Sequence, residues 1–300
     1  MESRLIKKLL YISSVDVSKP NGPGINEVQF IMSAHKNNNI KCKFIIPEPQ
    51  HLLPNDFPLN ESVIIPELKR RSVLSWIMHI FKKYRAAIKV NKTFKPDIAV
   101  FRMAIFPFPE LLLTFKLKNI FIKTAGSGNF PYFKNYPLLN IVLPLHKKIY
   151  LKVLEKSKGI DVVSLIHSEE LKKNFPSISY KVQVYDNAVD TDIFNPRDKG
   201  LSRQALNINR YKYLIGYVGN LADERGGLEL IKSWKYIDQR DEIGFLILSG
   251  DQKGKDVLTK LAQETGIEDK IFLRGPVHIS EVPKYISALD IGVSFRDDDG

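Results

Sequence analysis

The stretch Tyr213–Gly227, YLIGYVGNLADERGG, decides the fold. It begins with a short apolar run, Leu214–Val218, which is typical of a buried strand. Gly219 interrupts this run, and apolar residues at helical spacing follow the closing glycine pair. A strand, a glycine turn and a helix N-terminus together form a site where backbone N–H groups can bind an anion. Arg225 adds a guanidinium that suits phosphate oxygens, so the stretch predicts a diphosphate-binding loop. An ordinary strand-to-helix turn with a solvated Arg225 fits the same residues.

The residues after this loop alternate regularly between strand and helix patterns. Apolar runs predict strands at 213–218, 244–249, 270–274 and 290–295, and helical spacing predicts helices at 227–237, 255–265 and 281–289. Strands that alternate with helices in this way predict a parallel α/β domain.

The first half of the chain shows a second unit of the same kind. Leu9–Ser14 predicts a buried strand, and a glycine-containing loop follows it. Asn26 can cap a helix over Glu27–His35, and Lys41–Pro47 predicts the next strand. This order is that of a Rossmann-like unit, although the G-x-G-x-x-G pattern of nicotinamide and flavin enzymes is missing. Pro47–Pro66 is predicted to be rich in loops, and four further strands are predicted at Ile98–Met103, Ile120–Lys123, Asp161–Ile166 and Val182–Tyr185.

The polar, turn-forming stretch Asn187–Pro196 separates the two halves. We therefore predict an N-terminal domain at 1–190 and a C-terminal domain at 191–300. The formal net charge of the 300 residues is +12, and it is divided unequally: residues 1–190 carry +14 and residues 191–300 carry −2. This asymmetry indicates an anionic partner for the first domain: a membrane, a nucleic acid or a phosphorylated acceptor. Solvated Lys-rich faces are the plainer explanation.

Cys42 is the only cysteine, which excludes an intrachain disulfide and fits a reducing cytosol. No stretch has the roughly 18 uninterrupted apolar residues of a membrane-spanning helix. Ser72–Phe94 predicts a long basic helix with an apolar stripe that contains Trp76, Ile80, Phe81 and Tyr84. Such a helix can lie in a membrane interface, or it can pack on the core with a solvated basic back.

Taken together, these motifs resemble the retaining GT-B glycosyltransferases of family four. Asn187–Pro196 (NAVDTDIFNP) is similar to that group's interdomain signature, and Gly216–Gly226 (GYVGNLADERG) is similar to its donor-phosphate motif. Gly250-Asp251, Gly275-Pro276-Val277 and Tyr285–Val293 follow in the family's order. The resemblance implies an α/β fold with two Rossmann-like domains that face each other, and it covers essentially the whole chain.

The resemblance also implies roles for individual residues. Arg225 would be the catalytic residue, since it would stabilise the departing diphosphate. The donor diphosphate would be bound by Gly22, Gly24, Gly219, Asn220 and Arg225. The nucleotide pocket would contain Gly250, Asp251, Gly275 and Val277, and the sugar and acceptor would face Gly126, Ser127, Gly128 and Asn129.

Two departures from the family pattern concern the donor domain. Asn220 stands where the family usually has Arg, so one of two cationic phosphate contacts is missing. The family's acidic motif is expected after Val293–Phe295, and the sequence stops first, so we expect the second domain to be incomplete. The run Asp297-Asp298-Asp299 is expected to be a solvated tail, and neither a metal nor another cofactor is expected.

The resulting prediction is transfer of a sugar from a nucleoside-diphosphate sugar to a lipid-linked or surface-polysaccharide acceptor, with retention of configuration. The expected location is the cytoplasm, at the inner face of an anionic membrane. No nucleic-acid motif is visible, so nucleic acid is not an expected partner. Two alternatives fit the same residues: a nucleotide-sugar 2-epimerase, and a non-catalytic subunit that binds a nucleotide sugar or associates with a membrane.

Overall fold

The computed structural model describes residues 8–19, 22–66, 73–103, 106–124, 128–130, 141–219, 221, 227–237, 240–249 and 252–294, without the side chains of 73–77, 240, 252 and 253. The chain divides into two compact units, Met1–Ala188 and Val189–Gly300.

The first unit is an α/β layer structure around a parallel sheet. Its strands are β1 (Lys8–Ile12), β2 (Lys41–Pro47), β3 (Ser62–Ile65), β4 (Ile98–Arg102), β5 (Ile120–Thr124), β6 (Gly159–Val162) and β7 (Val182–Val184). Its described helices are α1 (Gly22–Lys36), α2 (Val73–Phe94), α3 (Phe108–Leu113), α4 (Leu143–Lys156) and α5 (Leu165–Asn174). Within the described residues the strand order is β3-β2-β1-β4-β5-β6-β7, and all neighbouring strands are parallel.

Alternate residues of these strands supply two separate cores. Leu10, Ile12 and Phe101 lie on one face of the sheet, in a cluster that helices α2 to α5 cover. Tyr11 and Phe44 lie on the opposite face, where α1 covers them. Because both faces of the central strands are buried, these strands are nearly continuous apolar runs, as parallel sheets require.

The structure adds detail to three sequence predictions for this unit or changes their bounds. Pro47–Pro66 is not all loop, because β3 pairs with β2 inside it. Helix α1 begins at Gly22 rather than after Asn26; Pro23 is compatible with a first helical turn, since the N–H that it lacks would have no partner there. The strand predicted at Asp161–Ile166 ends at Val162, because the Ser164 hydroxyl accepts the His167 N–H and caps α5.

Helix α2 has features of both alternatives drawn from its sequence, a helix packed on the core and a helix that exposes apolar side chains. Ile80 is buried, and Tyr84 packs against the first core. Phe81 is not part of this stripe, since it is 56% exposed, and Met78 is 51% exposed. The side chain of Trp76 lies outside the described part of the chain. The helix therefore packs on the core and also presents apolar side chains to solvent.

The second unit repeats the α/β plan with fewer strands. Its strands are β8 (Tyr213–Val218), β9 (Ile243–Leu248), β10 (Ile271–Arg274) and β11 (Ile291–Gly292), in the parallel order β10-β9-β8-β11 among the described residues. Its described helices are α6 (Lys199–Leu206), α7 (Gly227–Lys232), α8 (Gln252–Thr265) and α9 (Val282–Ser287). Helices α7 and α8 cover one face of the sheet, and α6 and α9 cover the other.

Asp290 fixes the start of this unit to its last strand. Its carboxylate accepts hydrogen bonds from Lys199, Arg203 and the backbone N–H of Leu214. Asp198 caps the N-terminus of helix α6, since its carboxylate accepts the Leu201 N–H, and Asn207 caps the C-terminus in the left-handed conformation. The α/β prediction for this half is therefore confirmed, with β11 shorter than the strand predicted at 290–295.

Candidate functional site

The strand order places a crevice at the carboxyl edge of each sheet. In open parallel sheets, ligands bind where the chain reverses its direction of strand addition, outside the carboxyl ends of the strands. In the first unit this point lies between β1 and β4, and in the second unit it lies between β8 and β11. The residues that directly follow these strands are therefore the ones placed at the two crevices.

Gly219 stands at the start of the loop that follows β8. Its N–H donates to the Leu248 carbonyl at 3.0 Å, which extends the pairing of β8 with β9 by one residue. The loop ends at Gly227, where a Cβ would lie 2.5 Å from a methyl group of buried Leu221. A backbone hydrogen bond thus holds the Gly219 end of the loop, and packing holds the Gly227 end. Asn220 and Arg225 lie outside the described residues, so their predicted roles stay predictions.

Part of the predicted nucleotide pocket follows the edge strand β10. Gly275 comes directly after this strand, and Val277 packs partly buried against the cluster that contains Leu248 and Tyr285. Val277 therefore has a packing role whether or not it contacts a ligand. Gly250 and Asp251, which follow β9, lie outside the described residues.

The structure also places Lys255 in this region, a residue that the sequence analysis did not select. Lys255 lies in the first turn of α8, and its Nζ would be 3.5 Å from a Cβ at Gly275. The sequence feature that could have identified Lys255 is the first turn of α8, which contains no acidic residue. Acidic side chains are the ones that helix N-termini favour.

Gly22 and Gly24 were predicted to let a loop approach a diphosphate, and both lie in the first turn of α1 instead of a loop. Gly24 is buried, and a Cβ there would overlap the carbonyl oxygen of Lys19. The close approach that Gly24 allows is therefore to this chain's own turn at 16–19. Gly22 has open space around its Cβ position.

On the predicted acceptor side, Gly128 and Asn129 are described, and Gly126 and Ser127 are not. Gly128 has φ +84°, and a Cβ there would lie 2.6 Å from the Phe175 ring. Asn129 is exposed, and its Oδ1 accepts a hydrogen bond from Asn174 Nδ2 at 2.8 Å. Both residues are thus held against the region where α5 ends.

A buried group of charges at the β1/β4 crevice was also missed from the sequence. Glu27 of α1 is fully buried and accepts hydrogen bonds from Tyr11 at 2.5 Å and Ser13 at 2.9 Å. Its other oxygen lies 3.5 Å from Arg102 Nε and 3.7 Å from Lys123 Nζ. Arg102 and Lys123 are paired in register on β4 and β5. Two cations therefore share one carboxylate beneath the crevice.

The titration behaviour of this group follows from its burial. Burial, with a further contribution from Glu27, raises the pKa of Tyr11 well above its ordinary value. Burial lowers the pKa of Lys123, and Glu27 opposes that change. Glu27 contacts both Tyr11 and Lys123 and holds them near the ends of β1 and β5.

A second buried ion pair lies on the other face of the same sheet edge. Lys83 of α2 donates to Glu110 of α3 at 2.5 Å and also to the Ser14 hydroxyl. Both charged side chains are at least nine-tenths buried. The first unit therefore brings two buried charge clusters to the end of β1, and the signal in the sequence was a pair of serines, Ser13 and Ser14, that directly follow an apolar strand.

Two searches of the described residues were negative. No group of three or more His, Cys, Asp or Glu side chains there could hold a metal ion. Within the same residues, no helix is both long enough and apolar enough to cross a membrane. The run Asp297-Asp298-Asp299 lies outside the described part of the chain.

The chain is similar to known glycosyltransferases in sequence. The family model described as Glycosyl transferases group 1 matches residues 198–295. An uncharacterized glycosyltransferase of Methanocaldococcus jannaschii is 24% identical over 227 residues, which cover 72% of this chain and 54% of the relative. The UDP-N-acetylglucosamine–N-acetylmuramyl-(pentapeptide) pyrophosphoryl-undecaprenol N-acetylglucosamine transferase of Caldicellulosiruptor saccharolyticus is 26% identical over 229 residues, which cover 75% of this chain and 55% of that protein. The chain thus spans about half the length of these curated relatives.

Solved structures share the fold. HepE of Anabaena, in complex with UDP and glucose, matches with a TM-score of 0.69 at 11% identity, over 97% of this chain and 74% of HepE. The chain therefore has the α/β fold of the GT-B glycosyltransferases. The match to the Glycosyl transferases group 1 model lies in the second unit, which contains most of the motifs that carry the resemblance.

Proposed function

We propose that this protein is a glycosyltransferase that moves a sugar from a nucleoside-diphosphate sugar to an acceptor hydroxyl with retention of configuration. The observation that carries the proposal is the family match over residues 198–295. Two features support it. The loop at the β8/β11 crevice begins at the hydrogen-bonded Gly219 and ends at the closely packed Gly227, and the similar HepE structure holds UDP and glucose.

The chemistry requires the bond between the anomeric carbon and the diphosphate to break while the acceptor oxygen bonds the same carbon. As in glycoside hydrolysis, the transition state resembles an oxocarbenium ion, and negative charge builds up on the departing diphosphate. We propose that Arg225 and backbone N–H groups of the loop after Gly219 stabilise that charge without a metal. As the acceptor oxygen forms the new bond, its proton passes to an oxygen of the departing diphosphate, which has gained the negative charge.

We propose a lipid-linked or surface-polysaccharide intermediate as the acceptor, at the cytoplasmic face of a membrane. The name of the Caldicellulosiruptor relative describes transfer to an undecaprenol-linked substrate. The positive charge of residues 1–190 supports an anionic membrane surface as a partner of the first unit.

The exposed side chains of two helices give this membrane proposal a defined surface. Phe81 on α2 is 56% exposed, Leu145 in the first turn of α4 is 60% exposed, and Ile141, just before α4, is 82% exposed. Both helices pack against α3, on the same face of the sheet. Exposed basic residues accompany them: Lys82, Arg85, Lys89, Lys147 and Lys148. Apolar side chains surrounded by Lys and Arg favour an anionic bilayer interface. We call these residues together the α2–α4 surface.

A transfer assay tests the proposed function directly. Labelled UDP-, GDP- and ADP-sugars are incubated with the protein and a lipid-linked saccharide extract, with and without EDTA, and the anomeric configuration of the product is determined by NMR. The expected result is a glycosylated lipid with the donor's configuration, formed equally with EDTA present. Inversion, or loss of activity with EDTA, would contradict the corresponding part of the proposal. Donor conversion without an acceptor would indicate the epimerase instead.

The Arg225→Ala variant tests the proposed leaving-group contact. Loss of a charge-assisted hydrogen bond, worth about 1.5–3 kcal/mol, should weaken nucleoside-diphosphate binding by roughly tenfold to a hundredfold in calorimetric titrations. Lys260→Met is the control, since Lys260 is 79% exposed and pairs with Glu264 on the same helix. Unchanged affinity of Arg225→Ala would remove Arg225 from the mechanism. A wild-type protein that binds nucleotides but transfers no sugar would indicate the non-catalytic subunit.

A further inference from the structure

The ammonium group of Lys255 differs from the other described lysines of the second unit. Five of them lie within 3.5 Å of a carboxylate, namely Lys199, Lys212, Lys232, Lys270 and Lys284, while Lys260 lies 3.9 Å from one and Lys235 lies over the Tyr236 ring. For Lys255, no hydrogen bond or ion pair of Nζ is found among the described residues. Lys255 is nevertheless partly buried. A partly desolvated cation without a counter-charge is unfavourable unless something else supplies an acceptor.

The position of Lys255 explains how its side chain reaches the sheet edge. Leu258 and Ala262 lie on the buried face of α8, packed against the sheet. Lys255 precedes them at the spacing that places residues on one helix face. It therefore continues the buried face past the end of the strands, where its Nζ would be 3.5 Å from a Cβ at Gly275. The absence of a side chain at Gly275 leaves the space beside the ammonium open.

Helix stability does not account for Lys255. A cation in the first helical turn opposes the helix dipole, and this turn has no acidic residue to offset it.

We propose that Lys255 is a specificity-determining residue of the donor pocket, whose ammonium donates a hydrogen bond to an oxygen of the bound nucleotide. This inference rests on the proposed function, because it assumes that the carboxyl edge of the second sheet binds a nucleoside-diphosphate sugar. Two oxygens of a nucleotide have this chemistry: a phosphate oxygen and a carbonyl oxygen of the base. A base carbonyl would favour uridine over adenosine, which has none on its base.

Calorimetric titration with UDP, ADP and uridine tests the proposal and separates the two oxygens. Lys255→Met should bind UDP about tenfold more weakly than the wild type, and Lys255→Arg should retain most of the affinity. A loss for UDP and ADP that spares uridine identifies a phosphate oxygen. A loss for UDP and uridine that spares ADP identifies a base carbonyl. Lys260→Met, on the exposed part of the same helix, should bind all three like the wild type.

The unfolding midpoint of each variant shows whether a loss of binding reflects a loss of structure. Lys255→Met should unfold at the wild-type temperature or slightly above it, since it removes an unfavourable charge. UDP affinity equal to that of the wild type would overturn the role of Lys255 and leave the proposed function intact. A folded wild type that binds no nucleotide would overturn both.

Discussion

The positively charged side chains at the carboxyl edges of the two sheets differ in whether a carboxylate is paired with them. In the first unit Arg102 and Lys123 share Glu27, and Lys83 is paired with Glu110. In the second unit Lys255 has no counter-charge among the described residues. A buried charge that is already paired has a structural explanation, because removing its partner would leave it uncompensated. A cation at the end of a strand is thus no signal of a ligand by itself; what distinguishes Lys255 is the missing partner.

The largest expected effect comes from breaking the buried ion pairs of the first unit. Glu27→Gln keeps the size of the side chain and removes the charge that Arg102 and Lys123 share. Breaking a buried ion pair from one side costs about 3–5 kcal/mol, and the long distances here place the expected loss near 3 kcal/mol. The free energy of unfolding of the first unit, from urea denaturation followed by circular dichroism, measures it.

Glu155→Gln is the control for that experiment, since Glu155 forms an exposed pair with Lys152 and should cost less than about 1 kcal/mol. Lys255→Met in the second unit should also leave stability almost unchanged. If Glu27→Gln were as stable as the control, the buried cluster would not be structural, and the contrast between the two units would fail.

Two glycines extend the comparison to the backbone. Gly128 has a left-handed φ of +84°, and a Cβ would press on Phe175, a member of the first core. Gly275 has a φ outside that region and ordinary contact distance to Lys255 Nζ. Gly128→Ala should therefore lose about 2 kcal/mol of stability, while Gly275→Ala should be neutral or slightly stabilised. Thermal unfolding of both variants measures the difference; equal losses would mean that Gly275 is also structurally required.

The sequence predicted the fold from periodicity and missed what depends on distant residues. The strand at Tyr213–Val218 has the predicted bounds, because its apolar run ends at a glycine. Strand β3 was missed because its four residues, Ser62–Ile65, lie in a proline-rich stretch that resembles a loop. The sequence predicted the start of helix α1 too late. Asn26 is a favourable N-cap residue, whereas the actual first turn of the helix contains two glycines.

The candidate site was predicted only in part, for a physical reason. Glycines at strand ends are local features, so Gly219 and Gly275 could be chosen from the sequence. Glu27 and Arg102 are 75 positions apart in the chain and meet only because β1 and β4 are neighbours. Lys255 could not be distinguished from paired lysines without knowing its surroundings. Whether the chosen residues contact a ligand stays a prediction.

The smallest expected effect concerns exposed side chains, which again differ between the units. Leu145 belongs to the α2–α4 surface of the first unit and is 60% exposed, whereas Leu201 on α6 of the second unit is 67% exposed and has an acidic cap beside it, Asp198. Leu145→Ser should weaken binding to vesicles with anionic lipid about fivefold, since roughly 1 kcal/mol of apolar burial in the interface is lost. Leu201→Ser should bind like the wild type. Co-sedimentation with anionic and with zwitterionic vesicles measures both. If the two variants lost binding equally, or if the wild type bound anionic and zwitterionic vesicles equally, the α2–α4 surface would not be the membrane contact.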